Sequence, residues 1–215
     1  MRFEHFLELL PKITNVPLPG ESAHAKMSPP ERIEKVRNLD WSTLNPKRAA
    51  VLMLVYPKNG EAILTLIERN SYKGVHSSQI AFPGGKIESF DASPLYTALR
   101  ETEEEVGVPR EKITFVSAFS EVYIPPSNFC VSPFLAYCKE LPLFIPDARE
   151  VASMIEFPVA DLLDDSKSEV RRMATSYSES IDVPVFNVGP HAVWGATAMM
   201  LSELKEVLKI ARNGA

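Results

Sequence analysis

Two short stretches constrain the fold of this chain most: the glycine pair in Pro83-Gly84-Gly85-Lys86 and the acidic run Arg100-Glu101-Thr102-Glu103-Glu104-Glu105-Val106-Gly107. Ser93 is a good N-cap and Pro94 suits a first helical position. Gly107 supplies a left-handed residue to end the helix, and Pro109 stops it. These signals predict a helix over residues 94–106. Leu95, Ala98, Leu99, Thr102 and Val106 share one stripe, which should face a core. Glu101 and Glu105 stand one turn apart on one flank, with Glu104 beside them, while Glu103 points to the other flank. Three carboxylates therefore converge and one does not.

Such a cluster is costly without a cation. Like charges four apart on a helix destabilise it by roughly 0.2–0.5 kcal/mol per pair. Acids near a helix C-terminus also meet the negative end of its dipole, at roughly 0.3–1 kcal/mol each. Arg100 offsets part of this by pairing with Glu104. A solvated acidic face is the ordinary explanation of such a run. The adjacent glycines argue instead for a hard cation, which takes oxygen ligands and keeps waters for a phosphate substrate.

The remaining composition bounds the partners. A chain of 215 residues, 45% hydrophobic and 24% charged, reads as one soluble domain with a substantial core. Its net charge of −5 argues against nonspecific nucleic-acid binding. No apolar run approaches a membrane span. The first ten residues contain acids and lack a small-residue cleavage site, so they read as an amphipathic helix and not a leader. Cys130 and Cys138 are expected on one strand, too far apart to bridge, and two free thiols fit a reducing cytoplasm.

Along the chain, helices are expected at residues 2–14 and 31–39, joined by a proline-containing connection. Residues 49–56 read as a buried strand, with a turn at 57–60 and a hairpin partner at 61–68. A polar loop at 70–78 leads to a short strand at 79–82. After the acidic helix, strands are expected at 113–122, 129–137 and 150–157, then a short helix at 159–163. Late strands at 171–173 and 183–186 precede a closing helix over 194–210. Strands on both sides of a central helix predict an α+β chain with a mixed sheet between helical layers.

The segment from Gly85 to Val108 resembles the Nudix box, G-x5-E-x7-R-E-U-x-E-E-x-G-U, where U is bulky and apolar. Arg100, Glu101, Glu104, Glu105, Gly107 and Val108 fall on its second half. Asp91 stands where the first glutamate belongs, the spacing to Arg100 is one residue longer, and Thr102 is less apolar than usual. The longer spacing, with Phe82-Pro83-Gly84-Gly85 and an acid at Asp91, is similar to the coenzyme A pyrophosphatase branch. Leu66 and Arg69 fit that branch's upstream pattern, whereas Asn70, Gly74 and Ser78 depart from it. His76, Gln79 and Ile80 look like its H-x-G-Q-[IV] form. Residues 124–129 and Trp194-Gly195-Ala196-Thr197 resemble it further downstream.

The resemblance implies an α/β/α sandwich around a central mixed sheet, with residues 47–215 as the Nudix domain and residues 1–46 as a helical extension packed on it. It implies a pyrophosphohydrolase dependent on Mg²⁺ or Mn²⁺, with Glu101, Glu104, Glu105 and the Gly85 carbonyl as metal ligands. Arg100 would pair with Asp91. The general base is either Glu104 or Glu150. Arg69, Lys73 and His76 are candidate phosphate contacts, and Ser127 and Asn128 either contact substrate or shape their loop. Trp194 is expected in the core. The partner is a small nucleoside diphosphate compound, with no nucleic acid and no membrane. Coenzyme A or a thioester leads as substrate; ADP-ribose, NADH and a noncatalytic binding role are the alternatives. The extension would cover the core, form a homodimer contact or restrict the pocket.

Overall fold

The computed structural model describes residues 1–37, 39–70, 79–175 and 178–214. In chain order, helices α1 (Phe3–Ile13), α2 (Glu21–Lys26) and α3 (Pro30–Arg37) lead to strands β1 (Lys47–Lys58), β2 (Glu61–Arg69), β3 (Ile80–Ala81) and β4 (Gly84–Lys86). Helix α4 (Pro94–Val106) is followed by β5 (Ile113–Ala118), β6 (Val122–Ile124), β7 (Phe129–Cys138), β8 (Val151–Pro158) and α5 (Val159–Leu163). Strands β9 (Ser168–Thr175), β10 (Ser178–Val188) and β11 (His191–Val193) precede α6 (Gly195–Asn213).

Eight strands form one mixed sheet with the spine β3-β2-β1-β7-β5. β1 and β7 run parallel over Lys47–Val55 and Phe129–Tyr137, and the other pairings are antiparallel. Strand β1 alternates faces with period two. Ala50, Leu52, Leu54 and Tyr56 face the cluster containing Ala98 and Val106 of α4. Ala49, Met53 and Val55 face the larger core shared with α1, α5 and α6. Helices thus cover both faces, the α/β/α sandwich that the sequence predicts.

One detail of register positions the site. β1 and β2 pair near their connecting turn, Val55 with Leu64 through Lys58 with Glu61, and then diverge. Residues 80–86 fill the fork: β3 pairs with β2 at Ile67 and Glu68, and β4 pairs with β1 at Ala49 to Val51. The Leu52 amide donates to the Pro83 carbonyl at 2.9 Å inside the fork. The glycine pair is therefore wedged between strands and brought beside Arg69 at the end of β2.

Several elements differ from the sequence expectation. Helix α2 interrupts the presumed connection between α1 and α3, because Ala23 and His24 bury a short apolar face that periodicity over six residues does not reveal. The expected strand over 113–122 is split at Phe119–Glu121 into β5 and β6, which pair with different parts of β7. The late strands are longer than expected and form a separate antiparallel sheet with β11. Both cysteines lie on β7 with free thiols. Among the described residues no helix is long and apolar enough to cross a membrane.

Candidate active site

Helix α4 begins and ends on the residues its sequence specifies. The Ser93 hydroxyl accepts from the Tyr96 amide at 3.1 Å, and Gly107 closes the helix at φ 73°. Ala98, Thr102 and Val106 are buried, while Leu95 and Leu99 are half-buried. The acidic flank is partly buried: Arg100 and Glu105 lie under β4, which packs on α4, whereas Glu101 is half-buried and Glu104 exposed.

Both glycines are required by close approach. Gly84 has φ 151°, and a Cβ there would lie 2.3 Å from the Ala50 carbonyl oxygen. A Cβ on Gly85 would lie 2.4 Å from the Glu101 carboxyl carbon. The absent side chains let backbone and carboxylates share one small space. The Gly84 amide donates to Glu105 Oε2 at 2.8 Å, and the Arg69 guanidinium donates to the Gly84 carbonyl at 3.3 Å.

The carboxylates occupy distinct environments. Glu105 is 1% exposed. Its Oε1 lies 3.0 Å from Arg69 Nη1, an ion pair off hydrogen-bond geometry, so among the described residues this buried oxygen has no hydrogen-bond donor. Burial pushes the Glu105 pKa up to about 7, against the attraction of Arg69 and the Gly84 amide. Burial also raises Glu101, which Arg100 partly opposes from 2.8 Å. Glu104 is 57% exposed and pairs with Arg100 at 2.9 Å. Glu103 turns to the opposite flank, where its carboxylate meets Arg110.

Arg100 organises this flank. Its Nε and Nη2 each bond Asp91 at 2.9 Å in a bidentate pair, which holds the Asp91 carboxyl well below the usual range. Thr97 Oγ1 and the Glu88 amide also donate to Asp91. The one-residue-longer approach to α4 thus still delivers its acid to Arg100.

Glu150 arrives from the loop before β8. The Asn70 amide donates to its carbonyl at 2.9 Å, and Asn70 Nδ2 donates to the Ala148 carbonyl at 2.7 Å. The exposed Glu150 carboxylate adds, after burial and other charges, to the upward push on both Glu101 and Glu105. The structure therefore brings Arg69, Gly85, Arg100, Glu101, Glu104, Glu105 and Glu150 into one neighbourhood. Ser127 and Asn128 sit in a separate loop, beside Pro125 and Pro126. Asn128 is left-handed, accepts from the Tyr123 hydroxyl at 3.0 Å and donates to the Leu44 carbonyl at 3.2 Å, all of which shape the loop. Lys73 and His76 lie outside the described residues.

The donor set suits a hard divalent cation. Glu105 presents a buried oxygen without a donor, Gly85 lacks the side chain that would fill the space before Glu101, and all candidate ligands are oxygens. Among the described residues no three acid, histidine or cysteine side chains already stand at closed ligand distances.

A cavity of about 720 Å³ opens from Gly84, Gly85 and Arg69. Its body is mostly apolar, with Phe82, Phe129, Met199 and Met200 among its walls. Trp194 is half-buried and borders this cavity, so the expected core role describes it only in part. Met27, Pro29 and Val36 of the extension also line it. Nothing in the box pattern signals those three; the Pro29-Pro30 pair marks only a helix start.

A model of the NUDIX domain matches residues 46–177. The chain is 34% identical over 160 residues to the mitochondrial coenzyme A diphosphatase NUDT8 of Mus musculus, covering 72% of this chain and 75% of that protein. It is 31% identical over 173 residues to the uncharacterized Nudix hydrolase NudL of Citrobacter koseri, covering 77% and 85%. Among solved structures, the Nudix hydrolase RenU of M. smegmatis superposes with a TM-score of 0.52 at 20% identity, over 76% of this chain and 86% of that one, a likeness of fold.

Proposed function

The chain belongs to the Nudix hydrolase family, whose members cleave pyrophosphate bonds, and from that premise we propose that its substrate is coenzyme A or a coenzyme A thioester, cleaved to 3′,5′-ADP and 4′-phosphopantetheine. The observation that carries this reading is the apolar cavity opening directly from Gly84, Gly85 and Arg69. A pantetheine arm is long and flexible, with methylenes and a gem-dimethyl group for the apolar walls and two amides and a hydroxyl for the polar groups at their edge, Gln79 and Arg32 among them. The second ribose of ADP-ribose is shorter and more densely hydroxylated, at about 1–3 kcal/mol for each hydroxyl left unpaired against apolar walls. The name of the mouse relative points the same way.

Members of the family generally use divalent cations. Here Mg²⁺ or Mn²⁺ would be held by Glu101, Glu105 and the Gly85 carbonyl, with Glu104 contributing directly or through water. When bound, the cation neutralises diphosphate oxygens and lowers the pKa of a coordinated water. The chain's own groups do the rest. Arg100, anchored on Asp91, orients Glu101 and Glu104. Arg69 and Lys86 border the cavity and bring positive charge to the diphosphate. Lys73, His76 and Ser127 are further proposed contacts. The water oxygen bonds to one phosphorus as the bridging P–O bond breaks, and a carboxylate takes the water proton. Glu150 and Glu104, the two exposed acids of the cluster, are the candidates for that role.

A panel of coenzyme A, ADP-ribose, NADH and a diadenosine polyphosphate with Mg²⁺ or Mn²⁺ tests the reading. Coenzyme A is expected to show the highest kcat/KM. A preference for ADP-ribose or NADH overturns the substrate, and no turnover of any compound overturns the catalytic reading. Glu104→Gln and Glu150→Gln then identify the base: the one that abolishes the alkaline-side plateau of kcat while metal binding persists carries the proton.

A further inference from the structure

Glu203 is a second buried carboxylate, on α6, and the chemistry above does not use it. It is 0% exposed. The Gly20 amide donates to Oε1 at 2.9 Å, the Ser120 hydroxyl to Oε1 at 2.6 Å and the Ser120 amide to Oε2 at 3.0 Å. His24 Nε2 stands 3.4 Å from Oε2. One side chain thus ties together the start of α2, the break between β5 and β6, and α6. One turn earlier on α6, Met199 and Met200 line the cavity.

The segment anchored there continues into the cavity wall. The Ser202 hydroxyl donates to the Ala23 carbonyl at 2.7 Å, which fixes α2 on α6. Beyond α2, Met27, Pro29, Arg32 and Val36 line the same cavity that opens from the glycine pair. Arg32 Nη2 donates to the Tyr123 carbonyl at 2.7 Å, pinning α3 to the opposite side through β6. The wall therefore shares one cavity with Gly84 and Gly85 and is held at both ends.

We propose that residues 20–36 form a specificity-determining wall for the non-nucleotide arm of the substrate, and that Glu203 is the positioning residue that sets this wall. The inference rests on the reading of the cavity as the coenzyme A chamber. The wall presents Met27, Pro29 and Val36 together with the charged Glu31 and Arg32, so it suits a flexible arm whose methylenes are interrupted by amides over a sugar or a second base. Glu203 acts through Gly20 and Ser120, and touches no reacting atom.

The test compares the full-length unaltered protein with Glu203→Gln and Val36→Trp. Glutamine keeps the size of Glu203 but turns an amide donor toward groups that already donate. Tryptophan narrows the chamber without touching the carboxylate network, so it remains informative if Glu203→Gln does not fold. In both variants the KM for coenzyme A is expected to rise about tenfold with kcat within threefold, the pattern of lost uniform binding. Product inhibition separates the two halves of the substrate: the inhibition constant of 4′-phosphopantetheine should rise in parallel, while that of 3′,5′-ADP moves less than about twofold. An unchanged KM in folded Val36→Trp overturns the wall, and equal shifts for both products overturn its selectivity for the arm. An unaltered protein that does not cleave coenzyme A fails the substrate reading instead. The wall is then judged by the KM of whichever diphosphate is cleaved, where unchanged values in Val36→Trp again overturn it.

Discussion

Glu105 and Glu203 are both buried glutamates on helices, yet their surroundings are opposite. Glu203 accepts hydrogen bonds on both oxygens, from Gly20 and Ser120, and the attraction of His24 together with the Ser120 bonds outweighs burial, which leaves its carboxyl below the ordinary range. Glu105 accepts one hydrogen bond, from the Gly84 amide; its other oxygen has the Arg69 guanidinium at 3.0 Å but no hydrogen-bond donor among the described residues, and burial leaves it high, at about 7. A charge that the fold satisfies serves structure. A charge held by one hydrogen bond and one ion pair beside two glycines keeps acceptor capacity for a further partner, which in the proposed function is the cation.

The largest test of this contrast is Glu105→Gln. Turnover should fall about a thousandfold, about 4 kcal/mol on the barrier, while the melting temperature of the metal-free protein holds or rises. Steady-state kinetics with Mn²⁺ and a thermal melt check both halves. The same variant should lose the upward thermal shift that added metal gives the unaltered chain. Near-normal turnover would remove Glu105 from the metal set.

Glu203→Gln should show the reverse balance, with stability lowered by about 2 kcal/mol in urea unfolding, the cost of leaving buried donors facing an amide. A loss under about 0.5 kcal/mol, no more than a surface change, would make Glu203 another loosely held acid and end the contrast.

The stability gap between unaltered protein and Glu203→Gln should also depend on pH in one direction. A carboxyl lowered by folding stabilises above its unfolded value, about 4.3, and that stability is lost as pH falls through the lowered folded value. Urea midpoints should therefore separate the two proteins fully at pH 6 and converge in acid. A gap that widens toward acid would contradict the donor network.

The smallest effect is expected at Glu103, which shares the acidic run but faces Arg110. Glu103→Gln should cost about 0.2–1 kcal/mol of stability and leave kcat within about twofold. A large loss of turnover would mean that the acidic flank is wider than Glu101, Glu104 and Glu105.

The parts legible in the sequence are those written locally. Ser93, Pro94 and Gly107 bound α4 where their chemistry predicts, and the period of its residues separates Glu103 from the other acids. The composition of residues 49–56 marks β1, and its alternation assigns two faces. Elements carried by few residues or distant contacts were not legible. Helix α2 is too short for a periodic signal, and the split between β5 and β6 depends on which stretch of β7 each one meets.

By itself, then, the sequence determined the family, the sandwich of helices on a mixed sheet, and which acids share a flank, because these follow from fixed spacings within one helix and one glycine turn. Only the tertiary structure decided how those acids are held. The fork between β1 and β2 presses Gly84 and Gly85 against Glu105 and Glu101, and leaves Glu105 Oε1 with an Arg69 ion pair but no hydrogen-bond donor among the described residues. The bond from Gly20 to Glu203 spans 183 positions and carries the extension to the chamber wall. Burial and satisfaction of a charge are properties of everything packed around it, and no local pattern contains them.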